Sequence, residues 1–133
     1  MPKPKPSDLE LQLLSVLWGR GPSTVREVMA AMPDGKRRAY TSVLSVMQVM
    51  EKKGLLTHST EGRTHVYKPT VSRSQTLRPM LRALVRNVFG GSTASAVQHL
   101  LNETNVPDDE LAEIARLLDE QKDADGQGGG AKP

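Results

Sequence analysis

Apolar residues fall into short helical stripes separated by turn residues. Leu9, Leu13, Val16 and Leu17, with Leu14 and Trp18 beside them, recur at the spacing of one helix face. Ser7 followed by Glu10 has the spacing of a capping box, in which each side chain satisfies the other's backbone N–H. Gly19-Arg20-Gly21-Pro22 stops this first helix after about Trp18. Thr24 and Glu27 repeat the capping spacing, and Val25, Val28, Met29 and Met32 form a second stripe, closed by the turn residues Pro33-Asp34-Gly35. A third helix is predicted within residues 37–54. Its inner face is Val43, Val46, Met47 and Met50, and its outer face shows Thr41, Ser42, Ser45, Gln48 and Lys52. Gly54 stands where a helix-ending glycine belongs.

The period then changes. Residues 55–60 and 63–68 read as two extended runs around Glu61-Gly62, which predicts a β-hairpin pairing Thr60 with Arg63 and His58 with His65. Three helices followed by a hairpin make a winged helix. The second and third helices are then a helix-turn-helix and the hairpin is the wing.

Helical spacing returns in the second half. Leu77, Leu81, Leu84, Val85 and Val88 make a stripe beside Phe89, with Arg78, Arg82 and Arg86 opposite. Pro79 falls in the first turn if Thr76 is the cap, and otherwise kinks a longer helix that starts near Ser72. Gly90-Gly91 ends this helix. Ala94, Val97, Leu100 and Leu101 mark the next. Asn105-Val106-Pro107 opens the last, where Asp108, Asp109 and Glu110 suit the positive end of the helix dipole. Its stripe is Leu111, Ile114, Ala115 and Leu118, and it is expected to stop near Lys122. So small a set of helices rarely builds a sufficient core alone, and an isologous pairing of two copies would bury the same stripes twice. The dimerising residues are then Leu77, Leu81, Leu84, Val85, Val88, Val97, Leu100, Leu101, Leu111, Ile114 and Leu118.

The predicted fold class is mainly α with a small β-hairpin: an N-terminal winged helix-turn-helix and a C-terminal three-helix dimerisation region. The expected divisions are a flexible basic arm (1–6), the winged helix (7–70), the helical region (71–122) and a disordered polar tail (123–133).

Composition narrows the chemistry. The chain has 133 residues, 37% of them hydrophobic, and its only aromatics are Trp18, Tyr40, Tyr67 and Phe89, so the core must be aliphatic and Met-rich. With no cysteine, disulfides and thiolate metal sites are excluded. No apolar run approaches the ~18–20 residues of a membrane span, and the Pro-Lys start lacks a signal-peptide core. The expected location is the cytoplasm, without membrane insertion. The net charge of +3 hides an asymmetry: residues 1–70 carry eleven Lys and Arg against six Asp and Glu, and no acid lies between Glu61 and Glu103. A basic first half is the footprint of a polyanion partner.

The outer face of the third helix could be an ordinary solvated surface. Ser and Thr are poor helix formers, however, and an idle face would more often carry Glu, Lys or Ala. Thr41, Ser42, Ser45 and Gln48 are therefore assigned to base edges in the major groove of double-stranded DNA. Arg37, Arg38, Tyr40, Lys52, Lys53 and Arg63 are assigned to phosphates and the wing contact. Val49 either touches a thymine methyl or is a lone exposed apolar residue. His58 and His65 could share a transition metal, but such a site wants three or four ligands; no metal and no cofactor are assigned. No nucleophile lies in a recognisable motif with His and carboxylate, and no phosphate loop appears, so no catalytic residue is named and the chain is not read as an enzyme. The alternatives to a DNA-binding regulator are a winged-helix protein-interaction module and a metal- or ligand-sensing regulator.

Four segments together resemble the penicillinase-repressor family (BlaI/MecI type). They are Ser7-Asp8-Leu9-Glu10-Leu11 leading to Leu17-Trp18, Thr24-Val25-Arg26-Glu27-Val28, Ala39-Tyr40-Thr41-Ser42-Val43 through Met50-Glu51-Lys52-Lys53-Gly54-Leu55-Leu56, and Glu61-Gly62-Arg63 with Tyr67-Lys68-Pro69. The resemblance covers about residues 7–122. It implies a homodimeric transcriptional repressor that binds an inverted-repeat operator and controls β-lactam-resistance-type or related stress genes. In β-lactam-responsive members a membrane-bound sensor triggers proteolysis in the C-terminal part. Two departures stand out. The copper-responsive branch carries a cysteine-rich motif that is absent here. The cut between Asn and Phe in the β-lactam-responsive members corresponds to His99-Leu100, the position of any proteolytic switch.

Overall fold

The computed structural model describes residues 5–127. Helix α1 (Asp8–Arg20) starts at the predicted capping box: the Ser7 hydroxyl accepts from the Glu10 N–H at 3.2 Å, and the Glu10 carboxylate accepts from the Ser7 N–H at 2.9 Å. Helix α2 (Val25–Ala30) has the same device built from Thr24 and Glu27, and is only six residues long. The fourth residue of its stripe, Met32, lies beyond the helix yet is still buried. Helix α3 (Tyr40–Lys52) ends in a Schellman motif: the Leu55 N–H reaches the Met50 carbonyl at 2.9 Å and the Gly54 N–H reaches that of Glu51 at 3.0 Å. Gly54 has φ +85°, a conformation that the motif requires and that a side chain disfavours.

Strands β1 (Leu56–Glu61) and β2 (Thr64–Pro69) form the expected antiparallel hairpin, but in a different register. His58 lies opposite Tyr67 and Thr60 opposite His65, so the two-residue turn is Gly62-Arg63 and not Glu61-Gly62. Gly62 takes φ +66° and Arg63 does not have a positive φ, which is the pattern of a turn with glycine first. The correction amounts to two residues in register. Side chains alternate with a period of two, so every residue keeps its predicted face. The outer edge of β2 is also paired: Ser23 and Tyr67 exchange both backbone hydrogen bonds, at 3.0 and 2.8 Å.

Leu13, Leu14, Leu17, Val28, Val43, Met47, Met50, Leu55, Leu56 and Tyr67 close one core under α1, α2, α3 and the hairpin. Each fully buried aliphatic side chain here contributes about 1.5–3 kcal/mol. The three-helix and hairpin order with this core is a winged helix.

Helix α4 (Arg73–Val88) takes the longer of the two predicted courses. Ser72 and Gln75 form its capping box at 2.9 and 3.0 Å, so Pro79 lies inside the helix rather than in the first turn set by Thr76. The Trp18 indole donates to the Val71 carbonyl at 2.9 Å, which fixes the entry to α4 on α1. Helices α5 (Thr93–Glu103) and α6 (Asp108–Gln127) follow, α5 capped by the Ser92 hydroxyl. Helix α6 runs five residues past Lys122, so residues 123–127 are helical where a disordered tail was expected. The rest of that tail, 128–133, and residues 1–4 of the expected arm lie outside the described residues. The chain divides into two compact units, Met1–Arg82 and Ala83–Pro133. Among the described residues no helix is long and apolar enough to cross a membrane.

Candidate nucleic-acid interface

Helix α3 buries Val43, Met47 and Met50 and leaves Thr41, Ser42, Ser45 and Gln48 exposed. These four share one side because three- and four-residue steps return to the same helix face. Val49, 46% exposed, and Lys52 extend the row toward the C-terminal end. Apart from Val49, the row is made of hydroxyls, an amide and an ammonium. It can donate to and accept from base edges.

The cations predicted around it divide into two groups. Arg37, Lys52 and Arg63 are exposed and enter no ion pair among the described residues. Arg63 projects from the wing turn beside Gly62. Arg38 instead grips Asp34 in a bidentate pair at 3.0 and 2.7 Å. With the Lys36 N–H at 3.0 Å, Arg38 holds the Asp34 carboxyl far below the usual carboxylate range. Lys53 donates to both Glu10 oxygens, at 3.2 and 2.9 Å. Burial pushes the Glu10 carboxyl up, but the Lys53 and Ser7 hydrogen bonds and the Lys53 charge outweigh it, and the group sits below its ordinary value.

Tyr40 is partly exposed at the first turn of α3, with the Arg26 guanidinium 4.6 Å from its ring centroid. Arg26 was not singled out from the sequence, nor was Lys36. Together with Arg37 and Arg38 they rim a groove floored by Met29, Met32 and Val43. The available signal was Arg26's place on the outer side of α2, between the buried Val25 and Val28.

The other end of α3 is tied to the wing. Glu51 accepts from or pairs with His58 Nδ1 at 2.8 and 2.9 Å. The His58 and His65 rings stack at 4.2 Å, 16° from parallel, because they are diagonal neighbours on one face of the hairpin. Among the described residues no group of three or more His, Cys, Asp or Glu side chains could hold a metal ion.

The predicted dimerising residues lie on α4, α5 and α6. Leu81, Leu84, Val88, Val97, Leu100, Leu101, Leu111 and Leu118 are exposed; Leu77, Val85 and Ile114 are half-buried. Leu117, absent from the predicted stripe, is also exposed. No described side chain in these three helices is buried. At the predicted proteolytic position His99 is exposed, its Nδ1 3.1 Å from the Ser95 carbonyl and its ring 5.1 Å from that of Phe89, and Leu100 is 63% exposed.

A winged helix whose third helix turns a polar row outward, beside exposed cations, has the form of a DNA-reading domain. The chain belongs to the penicillinase repressor family, which it matches over residues 6–120. It is 25% identical over 119 residues to a penicillinase repressor of Bacillus licheniformis, an overlap that spans 90% of this chain and 93% of the relative. It is 33% identical over 115 residues to the transcriptional regulator BlaI of Mycobacterium tuberculosis (strain CDC 1551 / Oshkosh), spanning 85% of this chain and 82% of the relative.

Proposed function

We propose that the chain is a homodimeric transcriptional repressor that binds an inverted-repeat operator, with one α3 from each copy in the major groove. The observation that carries this reading is the exposed row Thr41, Ser42, Ser45 and Gln48 on the third helix of a winged helix from a repressor family. Repression is steric: two recognition helices about one helical turn apart, ~34–36 Å, occupy the promoter and block polymerase. Arg37, Lys52 and Arg63 supply phosphate contacts, which set affinity and its salt dependence. Arg26 and Lys36 add positive charge at the N-terminal end of α3. The regulated genes are of the β-lactam-resistance or a related stress type, by analogy with the relatives' names. Induction passes through the exposed segment at His99-Leu100, cleaved after a membrane sensor has been triggered.

The uncovered apolar stripes of α4 to α6 support pairing of two copies, since an exposed apolar surface of this extent marks an interaction site. The test is an electrophoretic mobility shift against the chain's own promoter and against random DNA at two salt concentrations. Ser45→Ala is expected to weaken the specific site more than random DNA, and Arg63→Ala to weaken both and lower the salt slope by about one. Equal losses on every sequence would contradict this division of labour. Binding without steep salt dependence would favour the protein-interaction reading.

A further inference from the structure

Residues 62–102 contain six cations and no acid. Arg63 belongs to the wing turn, and the Arg73 guanidinium lies 5.5 Å from the Trp18 ring centroid. Arg78, Arg82 and Arg86 on α4 have no comparable role. All three are exposed and, among the described residues, enter no ion pair.

Their placement is regular. Residues four apart advance about 6 Å along a helix and about 40° around it, so the three positions form one continuous ridge. The apolar stripe of Leu77, Leu81, Leu84 and Val88 occupies another side of α4. Arg82 and Arg86 lie opposite it and Arg78 lies at its flank. Whatever covers the stripe therefore leaves Arg82 and Arg86 in water. Their neighbours on that side are Gln75 and Pro79, both exposed, and no large apolar side chain shares it.

A membrane surface holds a helix by taking its apolar residues into the headgroup boundary. Here the leucines face away from the side that Arg82 and Arg86 present. Arginine at all three positions, with no lysine, suits phosphate, whose oxygens the planar guanidinium meets bidentately. The ridge is also joined to the reading domain. The Trp18 indole holds the Val71 carbonyl at the entry to α4, and Arg78 and Arg82 fall within the same compact unit as α3 and the wing.

We propose that, in the repressor–operator complex on which this inference rests, Arg78, Arg82 and Arg86 grip the phosphate backbone of the duplex that α3 reads, at phosphates reached by neither α3 nor the wing. Such a contact carries no base information. It adds affinity on any sequence, and it adds to the salt dependence set by the cations around α3.

The test is fluorescence anisotropy of a duplex from the chain's own promoter and of a random duplex of equal length, each at several salt concentrations. The variant is Arg78→Gln/Arg82→Gln/Arg86→Gln, since glutamine matches arginine in helix propensity. Its salt slope should be shallower than the parent's by about 2–3 per bound copy, at about 0.9 per phosphate lost. The preference for promoter over random DNA should stay unchanged, as should helical content by circular dichroism. The triple lysine variant keeps the charge and should keep the parent's slope. Lys122→Gln removes an exposed cation from the acid-rich α6 and should also leave the slope unchanged. If the triple glutamine variant loses helicity, Arg82→Gln alone should show about a third of the slope change. A glutamine variant with the parent's slope overturns the phosphate contact and leaves the repressor reading standing. So does one that loses promoter preference, because the row would then act by placing α3. Binding of the parent to phosphatidylglycerol vesicles that the glutamine variant loses, with the DNA slope unchanged, overturns it in favour of a lipid surface. A parent that binds neither duplex overturns the repressor reading and this inference with it.

Discussion

Replacing Lys53 with Met should destabilise the winged helix through a carboxylate 43 positions earlier in the chain. Glu10 is 4% exposed, and its partners are the Ser7 N–H at 2.9 Å and the Lys53 ammonium at 3.2 and 2.9 Å. Methionine keeps the aliphatic stem of Lys53 but removes the charge, so Glu10 stays buried with only its local bonds. A hydrogen bond to a charged group contributes about 1.5–3 kcal/mol. The Lys53 side chain is 35% exposed, so water competes for it and the figure falls to about 1–2 kcal/mol. For a domain of this size each kcal/mol moves Tm by about 4–8 °C. The assay is thermal melting at fixed protein concentration for the parent, Lys53→Met, Glu10→Gln and the double variant. Near-neutral pH should show a coupling between the two sites of the same size as the single loss. The dependence on pH has a definite sign. The folded Glu10 carboxyl titrates below its ordinary 4.5, so around that pH the folded chain holds fewer protons than the unfolded one. The stabilisation is therefore complete above the unfolded value and lost as pH falls through the lowered one, where parent and Lys53→Met should converge. A Lys53→Met variant that melts with the parent at pH 7, or singles that add without coupling, would refute the ion pair as a fastening of α3 to α1.

Gly62→Ala should cost about 1 kcal/mol in thermal stability through its φ of +66° alone, since nothing lies within 4 Å of the added carbon; Gly62→Asn should cost less, and equal losses would point to a cause other than the backbone. Thr24→Ala removes the cap of a helix only six residues long and should cost about 1 kcal/mol, with Thr24→Ser nearly neutral in the same melts. Pro79→Ala should raise helical content and Tm at fixed concentration. The proline leaves the Gln75 carbonyl without its helical donor, and proline inside a helix costs up to about 3 kcal/mol relative to alanine; a lower Tm would contradict this account.

Local chemistry was legible and long-range chemistry was not. The capping boxes at Ser7 and Thr24 need only residues three apart, and the chain adopts both. The apolar period placed Val43, Met47 and Met50 inward and Thr41, Ser42, Ser45 and Gln48 outward. The hairpin register depends on which turn position the glycine occupies, and Gly62 can serve either; its φ of +66° at the first position decides it. Nothing in a periodic pattern marks Ser23 as the partner of Tyr67, or Lys53 as that of Glu10, because the core alone brings them together. The same limit applies to α4 through α6. Their stripes were readable, but what covers them is not a property of one chain's sequence order.

Counting cations therefore overstates the charge presented to a polyanion. Residues 37–63 contain five Lys and Arg, and all five entered the predicted phosphate set. The fold uses Arg38 to fix the turn before α3 through Asp34, and Lys53 to fix the end of α3 through Glu10. Glu51 adds a tie from the same end to His58 on the wing. Two ion pairs and a hydrogen bond thus fasten α3, and Thr41, Ser42, Ser45 and Gln48 between them face outward. A site that reads bases needs its reading helix placed to within a fraction of an ångström, so charge spent on placement serves specificity while lowering the count of phosphates neutralised. The salt slope of operator binding should accordingly track Arg37, Lys52 and Arg63, with Arg26 and Lys36, and fall short of the slope that all seven basic residues from Arg26 to Arg63 would give.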